Sequence, residues 1–149
     1  MPISNDDASP RVIVLPDASW VDRDDVVMAI MRTGLGVLNI ATPLESKAVC
    51  AAIISAQVDP PLIVVARGDA CHVLPAVALS LRTQHRDTAG YVLVDPDAPP
   101  STDTWPEAPV TVVSTTQEDG KSLRGWSIVS AAGDVAGSVA RVVTQVAHG

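Results

Sequence analysis

Phenylalanine is absent from this chain, and aromatic residues make up only 3% of it. The core must therefore be built from Val, Ala, Leu and Ile, and β-branched residues mixed with Ala suit strands alternating with small-faced helices. Positive charge is also scarce: ten Lys and Arg face seventeen Asp and Glu, for a net charge of -7. No basic patch is left for a phosphate backbone or an anionic lipid surface, so neither nucleic acid nor a membrane is expected as a partner. No apolar run reaches the roughly 20 residues that cross a bilayer. The polar, acidic opening Met1 to Pro10 does not read as a secretory leader, and a cytoplasmic location is expected. Two cysteines, Cys50 and Cys71, are too few for a disulfide framework. No carboxylates stand with His or Cys at metal-ligand spacing, and no GxGxxG or Walker-type loop occurs, so neither a metal nor another cofactor is expected.

What is present is 149 residues, 47% hydrophobic and 18% charged, enough for one sizeable core. Eight of the ten basic residues are Arg, which with abundant Ala and Val points to a GC-rich bacterial genome. Residues 1–10 read as a flexible polar arm and 11–149 as a single domain. Strands are predicted at Arg11–Leu15, Gly36–Ile40, Leu62–Ala66, Tyr91–Val94, Val110–Val113 and Trp126–Val129 from short apolar runs bounded by turn residues. Helices are predicted over Asp22–Arg32, Leu44–Gln57, Cys71 to about Thr83, and Gly137–Ala147. Asp22, Asp24 and Asp25 favour the start of the first helix through its dipole. Asp69 reads as the N-cap of the third, with Pro75 in its first turn. Continuous apolar strands alternating with helices want both sheet faces covered. The expected fold is α/β: a three-layer sandwich with a mostly parallel sheet of about six strands and helices on both faces.

Leu62-Ile-Val-Val-Ala-Arg-Gly-Asp-Ala-Cys-His, with the helix after it, resembles the strand, nucleophile elbow and following helix of the α/β-hydrolase superfamily. Gly90 to Asp95 is similar to the strand after the elbow helix. Trp105 to Val113 is similar to the strand before the acid loop, and Val12 to Trp20 to the strand and oxyanion loop, with Pro16-Asp17 in place of His-Gly. The likeness runs in order over about residues 11–147, without the family's first two strands or its lid. It implies a minimal hydrolase-like fold, related to esterases and thioesterases, with Gly68 at the nucleophile position and Asp119 near the acid. Asp95 falls at an alternative acid position. The family's histidine belongs near Gly133-Asp134-Val135, where none stands. Without serine and histidine the triad mechanism cannot operate. With the first strands gone, Gly36–Ile40 becomes an exposed edge that a second copy or a partner protein would cover.

The remaining candidates carry two readings each. Cys71 is a substitute nucleophile beside His72, or a buried structural thiol; adjacent helical residues diverge, which favours the second. Arg67 binds an anion near the elbow or serves as a solvated or ion-paired side chain. Asp95, Asp97, Asp119 and Asp134 are loop acid–base groups or ordinary turn residues. Trp20 and Trp105, placed on loops at one edge, wall a pocket with Asp17, Ala18, Arg67, Gly68 and Asp69, or cap the core. The leading expectation is a non-hydrolytic protein of hydrolase-like fold that binds a small organic or acyl-type ligand, as an accessory factor in bacterial biosynthesis. The alternatives are a cyclase, isomerase or lyase using loop carboxylates, a Cys71-dependent acyl-transfer or hydrolytic enzyme, and a structural subunit of an oligomer. A left-handed Gly68 is required by the elbow alignment.

Overall fold

The computed structural model describes residues 10–17, 20–96, 105–121 and 125–148. Residues 1–9 of the expected N-terminal arm, Ala18 and Asp97 lie outside them. Among the described residues the order is β1 (Val12–Val14), α1 (Arg23–Met31), β2 (Val37–Asn39), α2 (Ser46–Ser55), β3 (Leu62–Arg67), a 3-10 segment (Gly68–Val73), α3 (Leu74–Thr83), β4 (Thr88–Val94), β5 (Val110–Ser114), β6 (Gly120–Lys121), β7 (Ser127–Ser130) and α4 (Val135–His148). The strands form one seven-stranded sheet in the order β2-β1-β3-β4-β5-β7-β6. Every pairing is parallel except β6 with β7. The fold is α/β, and β2 is an edge strand.

The strands read as unbroken apolar runs because alternate side chains serve two separate clusters. Ile13, Leu15, Leu62, Val64, Ala66, Tyr91 and Leu93 join α2 and α3 through Val49, Ile53, Leu74, Val77 and Leu81. Val12, Val14, Ile63, Val65, Val92 and Val94 join α1 and α4 through Val26, Val27, Ile30, Val139 and Val143. With no Phe to fill volume, Val, Leu and Ile do it by interdigitation, and most of them are fully excluded from water.

The helix ends follow local chemistry. Asp22 precedes α1, with Asp24 and Asp25 in the first turn, and Gly34 at φ +93° turns the chain after it. Pro75 falls in the first turn of α3, where its missing N–H costs nothing. Asp69 does not cap that helix: it is exposed within the 3-10 segment, and Val73 precedes α3 without a side-chain cap bond. The chain leaves β3 too tightly for an α-helix to start at Asp69, and 3-10 winding absorbs the turn. Strand β6 is not among the strands that the sequence predicts. Its two residues are exposed and carry no apolar signal, and pairing with β7 alone makes them a strand.

Arg86 closes α2. Its Nη1 donates to Ile53 O at 2.8 Å and its Nη2 to Ala56 O at 2.9 Å, satisfying carbonyls that a helix end leaves open. Arg86→Ala is expected to lower the unfolding free energy by about 1–3 kcal/mol, read as a lower urea midpoint with an unchanged slope.

Candidate functional site

In an open α/β sheet the ligand crevice lies beyond the carboxyl ends of the strands, where the strand order reverses. Here chain order runs outward from β1 to β2 on one side and from β1 to β3 on the other, so the crevice falls between β1 and β3. Asp17 follows β1, and Arg67 ends β3. They meet across that point, Arg67 Nη1 donating to Asp17 Oδ2 at 3.4 Å, with side-chain exposures of 31% and 6%. Gly68 comes next, at φ +53°, as the elbow alignment requires. Among the described residues, a Cβ placed on it would meet only Asp17 Oδ2, at 3.7 Å. The apex is therefore left-handed, and Asp17 is the one residue outside its chain neighbours that a Cβ there would touch among the described residues.

A cleft of about 270 Å³ opens beside this pair, over the ends of β1 and β2. Pro16, Ile40, Pro43 and Leu44 give it apolar walls, with Asp17, Arg23 and Thr42 as its polar groups. Arg23 fixes its position. Its Nε donates to Leu15 O at 3.0 Å, and its Nη2 donates to Val14 O and Ile40 O, both at 2.9 Å. Burial lowers the Arg23 pKa from its ordinary value, while nearby Asp24 and Asp17 work in the opposite direction. The sequence reading missed Arg23 and the 40–44 segment. A signal existed: a cation in the first turn of a helix opposes the dipole, so it needs another partner.

The other expected residues separate. Cys71 is fully buried in the cluster beneath α3, while His72 is exposed. Asp95, at φ +41°, accepts from Thr115 N at 2.9 Å and from Thr115 Oγ1 at 2.7 Å, tying the end of β4 to that of β5. Asp119 accepts from Ser130 N at 2.7 Å, and Asp134 from Gly137 N at 2.9 Å. These three carboxylates clamp loops and do not converge on the β1/β3 crevice. No cluster of three or more His, Cys, Asp or Glu suited to a metal occurs among the described residues.

Trp20 and Trp105 do not share an edge. Trp20 follows β1 and is buried with α1 and α4, and its indole N–H finds no acceptor among the described residues. Trp105 is buried in the opposite cluster, edge-on to Tyr91 at 5.4 Å and to Trp126 at 5.7 Å. A crossover between parallel strands must return to the starting edge, and Trp105, just before β5, has completed that return. Tyr91 donates to Glu107 there, and burial with this contact raises its pKa above the ordinary value.

No protein-family model matches the chain, and no curated protein matches its sequence. No helix among the described residues is long and apolar enough to cross a membrane.

Gly68→Ser is expected to fold with a loss of about 1–2 kcal/mol, the strain of a left-handed non-glycine residue. It should hydrolyse no 4-nitrophenyl ester above buffer. His85, after α3, and His148, at the end of α4, lie toward the far edge, and His72 is exposed to solvent in the 3-10 segment. A thermal melt and an ester assay check both parts.

Proposed function

We propose that this protein is a non-hydrolytic member of the α/β-hydrolase type that binds a small organic, acyl-bearing molecule in the cleft over β1 and β2, as an accessory factor in bacterial, cytoplasmic biosynthesis. The observation that carries the reading is the left-handed Gly68 at the β1/β3 crevice, with an open cleft that shares Asp17 over the ends of β1 and β2. A glycine there keeps the elbow's backbone and removes its reactive side chain. At about 270 Å³ the cleft falls just below the roughly 300–1,000 Å³ of drug-sized ligand pockets, which restricts it to a small molecule, and its lining combines apolar surface with a few polar groups.

Two rival readings lose ground on the same geometry. A lyase, cyclase or isomerase using loop carboxylates would draw on Asp95, both of whose oxygens are engaged by Thr115, and on Asp119, whose Oδ1 holds the Ser130 amide. A thiol enzyme would need Cys71, which has no exposure to solvent. Titrating 4-nitrophenyl butyrate into the ¹⁵N-labelled chain tests the proposal. Amide shifts should gather on residues 40–44 without release of nitrophenol above buffer. Turnover that disappears in Cys71→Ala would replace this reading with thiol chemistry, and shifts confined to other regions would remove the cleft from it.

A second copy of this chain pairing along β2 belongs to the same proposal. β2 is short, half-buried and among the described residues has a strand on one side only, and such an edge is a template for further pairing. Sedimentation velocity at high micromolar concentration should show a dimer; a monomer there would end the idea of self-association.

A further inference from the structure

A guanidinium has five N–H donors. In Arg23 three are spent on the carbonyls of Val14, Leu15 and Ile40, through Nε and Nη2. The two that remain both sit on Nη1, and no described residue accepts from them. The side chain lines the cleft and is held rigidly by its backbone bonds, so an acceptor reaching Nη1 would need no reordering of it. Two acids stand near. Asp17 is matched by Arg67 at 3.4 Å, and Asp24 is exposed, where water screens it. Apolar Ile40, Pro43 and Leu44 line the same cleft as Arg23.

Building on the ligand-binding reading above, we infer that the cleft takes a small monocarboxylate with an apolar tail, one oxygen accepting from Arg23 Nη1 and the tail against Ile40 and Leu44. The contact is made through one nitrogen. Two-nitrogen fork pairing needs adjacent donors on Nη1 and Nη2, or on Nε and Nη2, and the backbone already occupies Nε and Nη2. A compact anion without a tail would gain the charge-assisted bond and leave the apolar walls unused.

The probes are hexanoate and 1-hexanol, titrated separately into the ¹⁵N-labelled chain at fixed ionic strength, following the amides of Ala41, Thr42 and Leu44. Hexanoate should bind about tenfold more tightly than hexanol, the scale of one charge-assisted hydrogen bond. Arg23→Lys offers three N–H donors, as many as the three carbonyls, and leaves none over. It should melt below the parent temperature, because one nitrogen replaces the two that reach those carbonyls, still bind hexanol, and bring the two probes to within about threefold of each other. Ala41→Phe, which fills the cleft and leaves Arg23 in place, should abolish binding of both. Equal affinities for the two probes in the parent chain, both blocked by Ala41→Phe, would overturn the carboxylate assignment and leave the ligand-binding reading standing. An undiminished hexanoate preference in Arg23→Lys would also overturn the assignment. Shifts at residues 41–44 with neither probe would overturn the assignment and count against the ligand-binding reading itself.

Discussion

Parallel strands end with their last carbonyls at one edge of the sheet, and a crossover that begins at once leaves those acceptors with lone pairs that the ladder does not fill. At β1 and β2 one guanidinium answers this problem. Arg23 draws together the carbonyls of Val14, Leu15 and Ile40, so it fixes the spacing of two strand ends and the start of α1. Its placement opposes the helix dipole, an effect of about 0.3–1 kcal/mol, whereas hydrogen bonds to a charged group contribute about 1.5–3 kcal/mol each. The bonds win, and Asp24 and Asp17 assist electrostatically. The floor of the cleft, the position of Asp17 and the bend into α1 all depend on that set of bonds.

The same edge explains why the carboxylates on the other strand ends are occupied. Asp95 joins the exit of β4 to that of β5, Asp119 receives the amide of Ser130, and Asp134 receives that of Gly137. Each supplies an acceptor where the chain leaves or enters regular structure, which is the ordinary use of Asp in turns. A polar group that is both nearly buried and set at the reversal of strand order is found in Asp17, paired with Arg67.

Much of the architecture was legible in sequence. The apolar runs containing Val12–Val14, Leu62–Ala66, Tyr91–Val94 and Val110–Val113 needed no tertiary information, because strands buried on both faces carry no polar interruption. The glycine after β3 was legible too, since a strand that turns at once needs a residue tolerant of positive φ. What escaped was set by partners distant in sequence. Gly120–Lys121 becomes a strand only through β7. Asp69 looks like a cap until the tightness of the turn is known. Trp105 looks like a neighbour of Trp20 until the path of the crossover is followed. Arg23 and residues 40–44 form a cleft only when β1 and β2 lie side by side.

The distribution of indoles has an optical consequence. With no Phe and a single Tyr, near-ultraviolet absorption belongs almost wholly to three tryptophans. Trp105 and Trp126 stand at 82° to each other beside Tyr91, an arrangement that gives strong circular dichroism only while that end stays packed. Trp20 sits apart, in the other cluster, just beyond β1. Loosening of the Trp105–Trp126 end would therefore register in near-ultraviolet circular dichroism of the unlabelled molecule, a signal to which Trp20 contributes from a different surrounding.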